Sequence, residues 1–96
     1  MSDPVITYVV DQNGERQIDD GMTVVKPFSF RGTDTAAHQG AVNVNGPSYN
    51  SVLWTINAVG EWQTGNVNPF INGTYDVYAL CTTTQTEGRH YSIEVT

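Results

Sequence analysis

Apolar side chains recur at every second position in short runs, and each run stops at a cluster of Gly, Asn, Asp or Pro. A period of two puts successive side chains on opposite faces of an extended chain, so the pattern predicts half-buried β-strands. Such runs cover residues 5–10, 23–33, 41–45, 52–57, 61–64, 74–82 and 91–95. Pro27 interrupts the second. Proline cannot donate to a ladder, so it marks an edge or a break between two short strands. Phe28 and Phe30 are expected on one face there, with Ser29 and Arg31 on the other. In 41–45, Val42 and Val44 point inward and Asn43 and Asn45 outward. Ile18 is a lone apolar anchor between the turns at 11–14 and 19–21. The stretch 34–40 is a polar loop, and 65–73 is a loop that Phe70 and Ile71 are expected to anchor. No segment carries the i, i+3, i+4 spacing of an amphipathic helix. The pattern predicts an all-β chain of seven to eight antiparallel strands in two sheets packed face to face.

The chain has 96 residues, enough for one domain. That domain is placed at residues 3–96, with Met1-Ser2 read as a start added to an excised domain. Charged residues make up only 15%, against roughly 25% in ordinary soluble proteins. The formal net charge is −6, with Lys26, Arg16, Arg31 and Arg89 the only lysine and arginines. Phosphates require a clustered positive surface, so nucleic acid is not an expected partner. No apolar run approaches the roughly 20 residues needed to span a bilayer as a helix, and membrane insertion is not expected.

Catalytic chemistry finds no footing. Ser2, Ser29, Ser48, Ser51 and Ser92 are the only serines, and none sits in a Gly-x-Ser-x-Gly elbow. His38 and His90 lack a partner at metal-ligand spacing and read as surface histidines. Cys81 is the only cysteine. It allows no intramolecular disulfide, and its apolar run makes it a packed side chain. The expectation is therefore no enzyme, with no catalytic, cofactor-binding or metal residue. Asp11, Asn13, Asp19 and Asp20 lie in turns, where side-chain oxygens cap backbone N–H groups. The alternative for them is Ca2+, which takes six to eight oxygens. Trp54 reads as a core residue and Tyr49, Tyr78 and Tyr91 as ordinary strand residues; the alternative is that these four aromatics, if exposed, stack on sugar rings.

Four motifs occur in order along nearly the whole chain: Ile6-x-x-Val9-x-Asp11-x-x-Gly14-x-x-x-Ile18-x-x-Gly21-x-Thr23, then Phe28-x-Phe30-x-Gly32-Thr33, then Asn57-Ala58-Val59-Gly60-Glu61-Trp62, then Phe70-x-x-Gly73-Thr74-Tyr75-x-Val77-x-Ala79. In this the chain resembles the bacterial immunoglobulin-like repeat domains of large surface proteins and adhesins. It departs from them at 43–52, where a Pro-Ser-Tyr insertion enlarges the turn, and in the bulk of Phe28 and Phe30. The resemblance implies an immunoglobulin-like β-sandwich, extracellular or on the cell surface, serving as a structural spacer and presentation repeat in adhesion. Its partners would be neighbouring repeats of the same chain and a host or matrix glycan or protein. It also puts Val77 where antibody domains carry their second disulfide cysteine. Tyr75, two residues after Gly73, is placed to return its hydroxyl to upstream backbone as a tyrosine corner does. Trp62 is large enough to fill the space between sheets. A carbohydrate-binding β-sandwich module using exposed aromatics is the competing function.

Overall fold

A computed structural model describes residues 4–34, 38–58 and 60–96. The start at Met1-Ser2, the middle of the 34–40 loop and Val59 lie outside the described residues. The strands are β1 (Val5–Asp11), β2 (Gly14–Gln17), β3 (Met22–Val24), β4 (Ser29–Thr33), β5 (Gly40–Asn45), β6 (Tyr49–Ala58), β7 (Glu61–Thr64), β8 (Gly73–Cys81), β9 (Thr86–Glu87) and β10 (Tyr91–Val95). No helix occurs among the described residues.

The strands join into one mixed sheet in the order β2-β1-β4-β7-β6-β5-β8-β10-β3, with β9 on β8. The sheet curls into a half-barrel. Ten strands replace the expected seven to eight, and the expected all-antiparallel arrangement does not hold. β3 runs parallel to β10, with Ile93 opposite Met22 and Val95 opposite Val24. The additional strands are short. β2 carries the pattern Gly14-Glu15-Arg16-Gln17, with no apolar alternation to reveal it, and forms because the 11–14 turn folds it back on β1. β9 is two residues within the polar 83–88 tip.

The curl depends on β6. Its first half pairs with β5, from Asn45 opposite Tyr49 to Ala41 opposite Leu53. Its second half pairs with β7, from Trp54 opposite Thr64 onward. One strand thus serves both halves of the sheet, and their inner faces share a single core. Ile6, Val9, Phe30 and Trp62 enter it from one half. Val42, Val44, Tyr75, Val77, Ala79, Ile93 and Val95 enter it from the other. The period-two alternation explains this set directly, with β10 reading buried-exposed-buried-exposed-buried along its length.

Pro27 breaks the 23–33 run as expected. β3 ends at Val24 and β4 begins at Ser29, with a cis Lys26–Pro27 peptide between them. Phe28 and Phe30 are both fully buried and meet edge to face, with ring centroids 5.5 Å apart. The 65–73 loop corrects the sequence reading. Phe70 is 94% exposed and Ile71 is half exposed. The anchor is Val67, which exchanges backbone hydrogen bonds with Phe28 in both directions and is buried. Ile71 contributes its carbonyl rather than its side chain.

That carbonyl accepts a hydrogen bond from the Tyr75 hydroxyl, four residues downstream. The Tyr75 oxygen also lies 2.8 Å from Ser48 Oγ, which accepts from Asn50 Nδ2 at 3.1 Å. With Tyr75 donating to Ile71, Ser48 donates to Tyr75, and the chain Asn50–Ser48–Tyr75–Ile71 runs unbroken. It ties the turn after β5 to the loop before β8. Tyr75→Phe keeps the buried ring and removes the link, leaving the Ile71 carbonyl without this donor. The expected loss is about 1–3 kcal/mol. Guanidinium unfolding should show it as a lower midpoint at unchanged slope, and a midpoint equal to wild type would refute the assignment.

Candidate functional site

The outer face of β6, β5 and β8 carries a cluster of aromatic and polar side chains. Register alone sets out its rows. Leu53, Ala41 and Leu80 stand side by side across the three strands, followed by Ser51, Asn43 and Tyr78, then Tyr49, Asn45 and Asp76. Tyr49 is 66% exposed and Leu53 76%. Asn43 points away from the core between the inward Val42 and Val44, as expected, yet it is buried. Its Nδ2 donates to the Tyr78 hydroxyl at 3.1 Å, and its Oδ1 accepts from Ser51 Oγ at 2.9 Å and from the Tyr49 hydroxyl at 3.4 Å. One amide therefore fixes both tyrosines. Of the four aromatics proposed for stacking on sugars, only these two lie on this surface. Trp54 and Tyr91 are buried in the core cluster.

His90 extends the face. Its ring stacks on Tyr78 with centroids 4.1 Å apart and planes 13° apart. Nδ1 lies 2.7 Å from Asp76 Oδ2 and Nε2 lies 2.8 Å from Glu87 Oε1. Ionised carboxylates only accept, so both ring nitrogens donate and the arrangement suits the imidazolium. His90 is thus a surface histidine, but a partnered one. The sequence hid this because Asp76 and Glu87 meet it only through the β8–β9–β10 fold-back.

The acidic turn residues are engaged by the protein itself. Asp11 has a fully buried side chain. Its Oδ1 accepts from Asn13 N at 2.9 Å, the turn cap expected from the sequence. Its Oδ2 accepts from Arg16 at 2.8 Å and from Val25 N at 2.9 Å. Asp19 Oδ1 accepts from Asp20 N, while Asp20 accepts from Ser92 N and pairs with Arg89. A calcium ion would have to displace Arg16 from Asp11 and Arg89 from Asp20.

A third grouping went unseen in the sequence. Asp34 follows β4, His38 precedes β5, and Cys81 ends β8. Their donor atoms lie within 4.8 Å of one another. Asp34 Oδ2 is 3.1 Å from His38 Nδ1, with the carboxylate side chain 3% exposed and the imidazole 25%. Cys81 is fully buried, as its apolar run implies. The signal that would have found the group is the pairing of Gly40 with Cys81, which no spacing rule supplies.

No family model matches the chain, and no curated protein or solved structure matches it.

The His90 pKa is raised above its ordinary 6.5, first by the hydrogen bond to Glu87 and then by that to Asp76. A raised folded-state pKa gives stability that is fully present below the unfolded value and is lost as pH rises through the folded one. Proton NMR of the imidazoles should show His90 titrating above 6.5. His90→Gln should remove this contribution to the fall in stability on the alkaline side. Titration at or below the ordinary value would mean the two carboxylate contacts do not form in solution.

Proposed function

We propose that this domain is a non-enzymatic, immunoglobulin-like module of a long extracellular or cell-surface bacterial protein, a spacer and presentation repeat in adhesion. The observation that carries the reading is where the chain enters and leaves. Pro4 sits against Gly88, so that a side chain at Gly88 would strike the Pro4 carbonyl, and Gly88 bonds to Ala79 near the far end of β8. Val95 pairs with Gly73 at the opposite end of β8. Six residues of strand separate Gly73 from Ala79, about 20 Å. The two described chain ends therefore lie beside opposite ends of β8. A unit with this polarity joins in series without folding back on itself. The sandwich interpretation draws support from the Tyr75 hydroxyl on the Ile71 carbonyl, the corner that immunoglobulin-like domains use, and from the shared core between the two halves of the sheet. Neighbouring repeats would be its partners in the chain.

The outer face favours a second reading, a carbohydrate-binding module. Tyr49 and Tyr78 are held by one buried amide, and flat, pre-oriented aromatics beside Asn and Ser suit sugar rings. The surface is narrower than the sequence reading supposed, because Trp54 and Tyr91 do not contribute.

Two measurements separate these roles. Two copies joined head to tail should give, by small-angle X-ray scattering, a maximum dimension near twice the single-domain value. A compact dimer-like profile would count against the spacer role. On a glycan array the spacer reading expects no binding by wild type. Binding that disappears in Tyr49→Ala would establish the carbohydrate module instead.

A further inference from the structure

We propose that Asp34, His38 and Cys81 form a binding site for a divalent transition metal of the zinc class. The proposal is independent of the spacer role. Three donors of different chemistry converge here: a carboxylate oxygen, an imidazole nitrogen and a thiol sulfur, all within 4.8 Å of one another. Tetrahedral zinc, with bonds of about 2.0–2.3 Å, sets its donors roughly 3.3–3.6 Å apart. The Asp34–His38 separation of 3.1 Å already lies near that value. Cys81 Sγ, within 4.8 Å of both other donors, has the remaining distance to close on binding.

The donors are held in place by groups that do not themselves ligate. Asp34 N–H donates to the Gly60 carbonyl at 3.0 Å. Gly60 has a φ of +85°, and a side chain there would press on the Asp34 carbonyl. The His38 carbonyl accepts from Trp54 Nε1 at 2.9 Å. The Gln39 carbonyl accepts from both Thr82 N and Thr82 Oγ1, and Gln39 N donates to Thr83 Oγ1. The segment carrying His38 is thereby fixed to the segment that follows Cys81. Such supporting contacts are what give a metal site its geometry.

Burial argues in the same direction. A carboxylate and a thiol are taken out of water side by side, with the half-buried His38 at the opening. A dication neutralises both the carboxylate and the thiolate that ligation creates. On binding, the thiol loses its proton to solvent and the sulfur ligates as thiolate. The donor set selects the ion: thiolate and imidazole suit zinc, whereas calcium takes oxygen. Three protein ligands leave a fourth position for water on the His38 side. The His90 group does not compete. Asp76 and Glu87 sit on opposite nitrogens of one ring, so the two carboxylates and a ring nitrogen do not converge on one ion.

The test uses the metal-free protein titrated with Co2+ and then with Zn2+. Equimolar Co2+ should produce a near-ultraviolet thiolate-to-cobalt charge-transfer band that Zn2+ abolishes by displacement. Zn2+ should also raise the thermal midpoint. Cys81→Ser should lose the band. Because a buried substitution can impair folding, His38→Gln, at the surface of the site, provides the second variant. It should weaken binding by more than the roughly 10–100-fold that loss of a supporting residue costs. His90→Gln should bind as wild type does. No charge-transfer band at equimolar Co2+ would overturn the proposal, as would a band unchanged in His38→Gln or one lost in His90→Gln.

Discussion

The stack of Trp54 on Trp62 is the contact on which the rest of the structure depends. Their rings lie 4.5 Å apart and 15° from parallel. Trp62 faces Ile56 across the β6–β7 ladder, and Trp54 is two residues further along the same face. Two indoles fit at this bend only because the neighbouring strands make room. A side chain at Gly32 on β4 would strike the Trp62 ring, and one at Gly40 on β5 would strike the Trp54 ring. Each indole thus lies over a glycine of an adjoining strand. Burial of about 150–250 Å² per aromatic ring is worth about 4–6 kcal/mol. That exceeds the roughly 1–3 kcal/mol for leaving the Trp62 Nε1 proton buried without a partner. β6 can then change partners between Leu53 and Trp54, because the inner side of the change is filled.

A curled sheet that does not close leaves edges, and side chains secure them. Asp11 lies where β1 turns into β2. Its buried carboxylate reaches Arg16 and the Val25 amide, and Arg16 donates onward to the Thr23 carbonyl. The β1–β2 hairpin is thereby linked to β3, which stands at the other end of the strand order. Asp20 performs a comparable task, accepting from Ser92 N and pairing with Arg89, whose guanidinium also lies over the Tyr91 ring at 4.5 Å. In a chain of low charge content, Asp11 joins the two ends of the sheet, and Asp20 secures the β3 edge to its neighbour β10. Their place in turns made a cation reading natural. Their arginine partners, distant in sequence or hidden in the unpatterned β2, show what the carboxylates are engaged in.

The alternation of side chains made the central strands legible. β8 and β10 fall within a residue of the sequence reading, and so does the inward set Val42, Val44, Tyr75, Val77 and Ala79. The Tyr75 corner was legible too, because Gly73 and the start of a strand fix where its hydroxyl can reach. What escaped depends on pairing between distant segments. β3 has three residues, and its parallel partner β10 is some seventy positions away, so no local pattern signals it. Phe70 and Ile71 read as anchors because they are apolar. The loop had a better one in Val67, whose backbone pairs with Phe28, and with Val67 facing inward Phe70 is turned to solvent. At the outer face, the sugar-stacking alternative named Tyr49 and Tyr78 but also Trp54 and Tyr91; the core reading of Trp54 holds, and Tyr91 shares the inward face of Ile93 and Val95.

The same dependence on register explains why chemistry gathers where it does. The β5–β8 pairing brings Gly40 opposite Cys81 and Asn43 opposite Tyr78. One ladder therefore sets both the buried amide under the outer tyrosines and the approach of His38 to the thiol. Gly40 is the residue they share. It admits the Trp54 ring on one side, and it begins the strand whose preceding segment is held by Trp54 Nε1 and Thr82. Replacing it would move the indole, the His38 carbonyl bonded to that indole, and the start of β5 together. The core contact that allows the sheet to bend thus also holds the His38 carbonyl, and with it one arm of the Asp34, His38 and Cys81 cluster. In this fold the packing constraint and the most chemically distinctive cluster are one piece of structure, read from two sides.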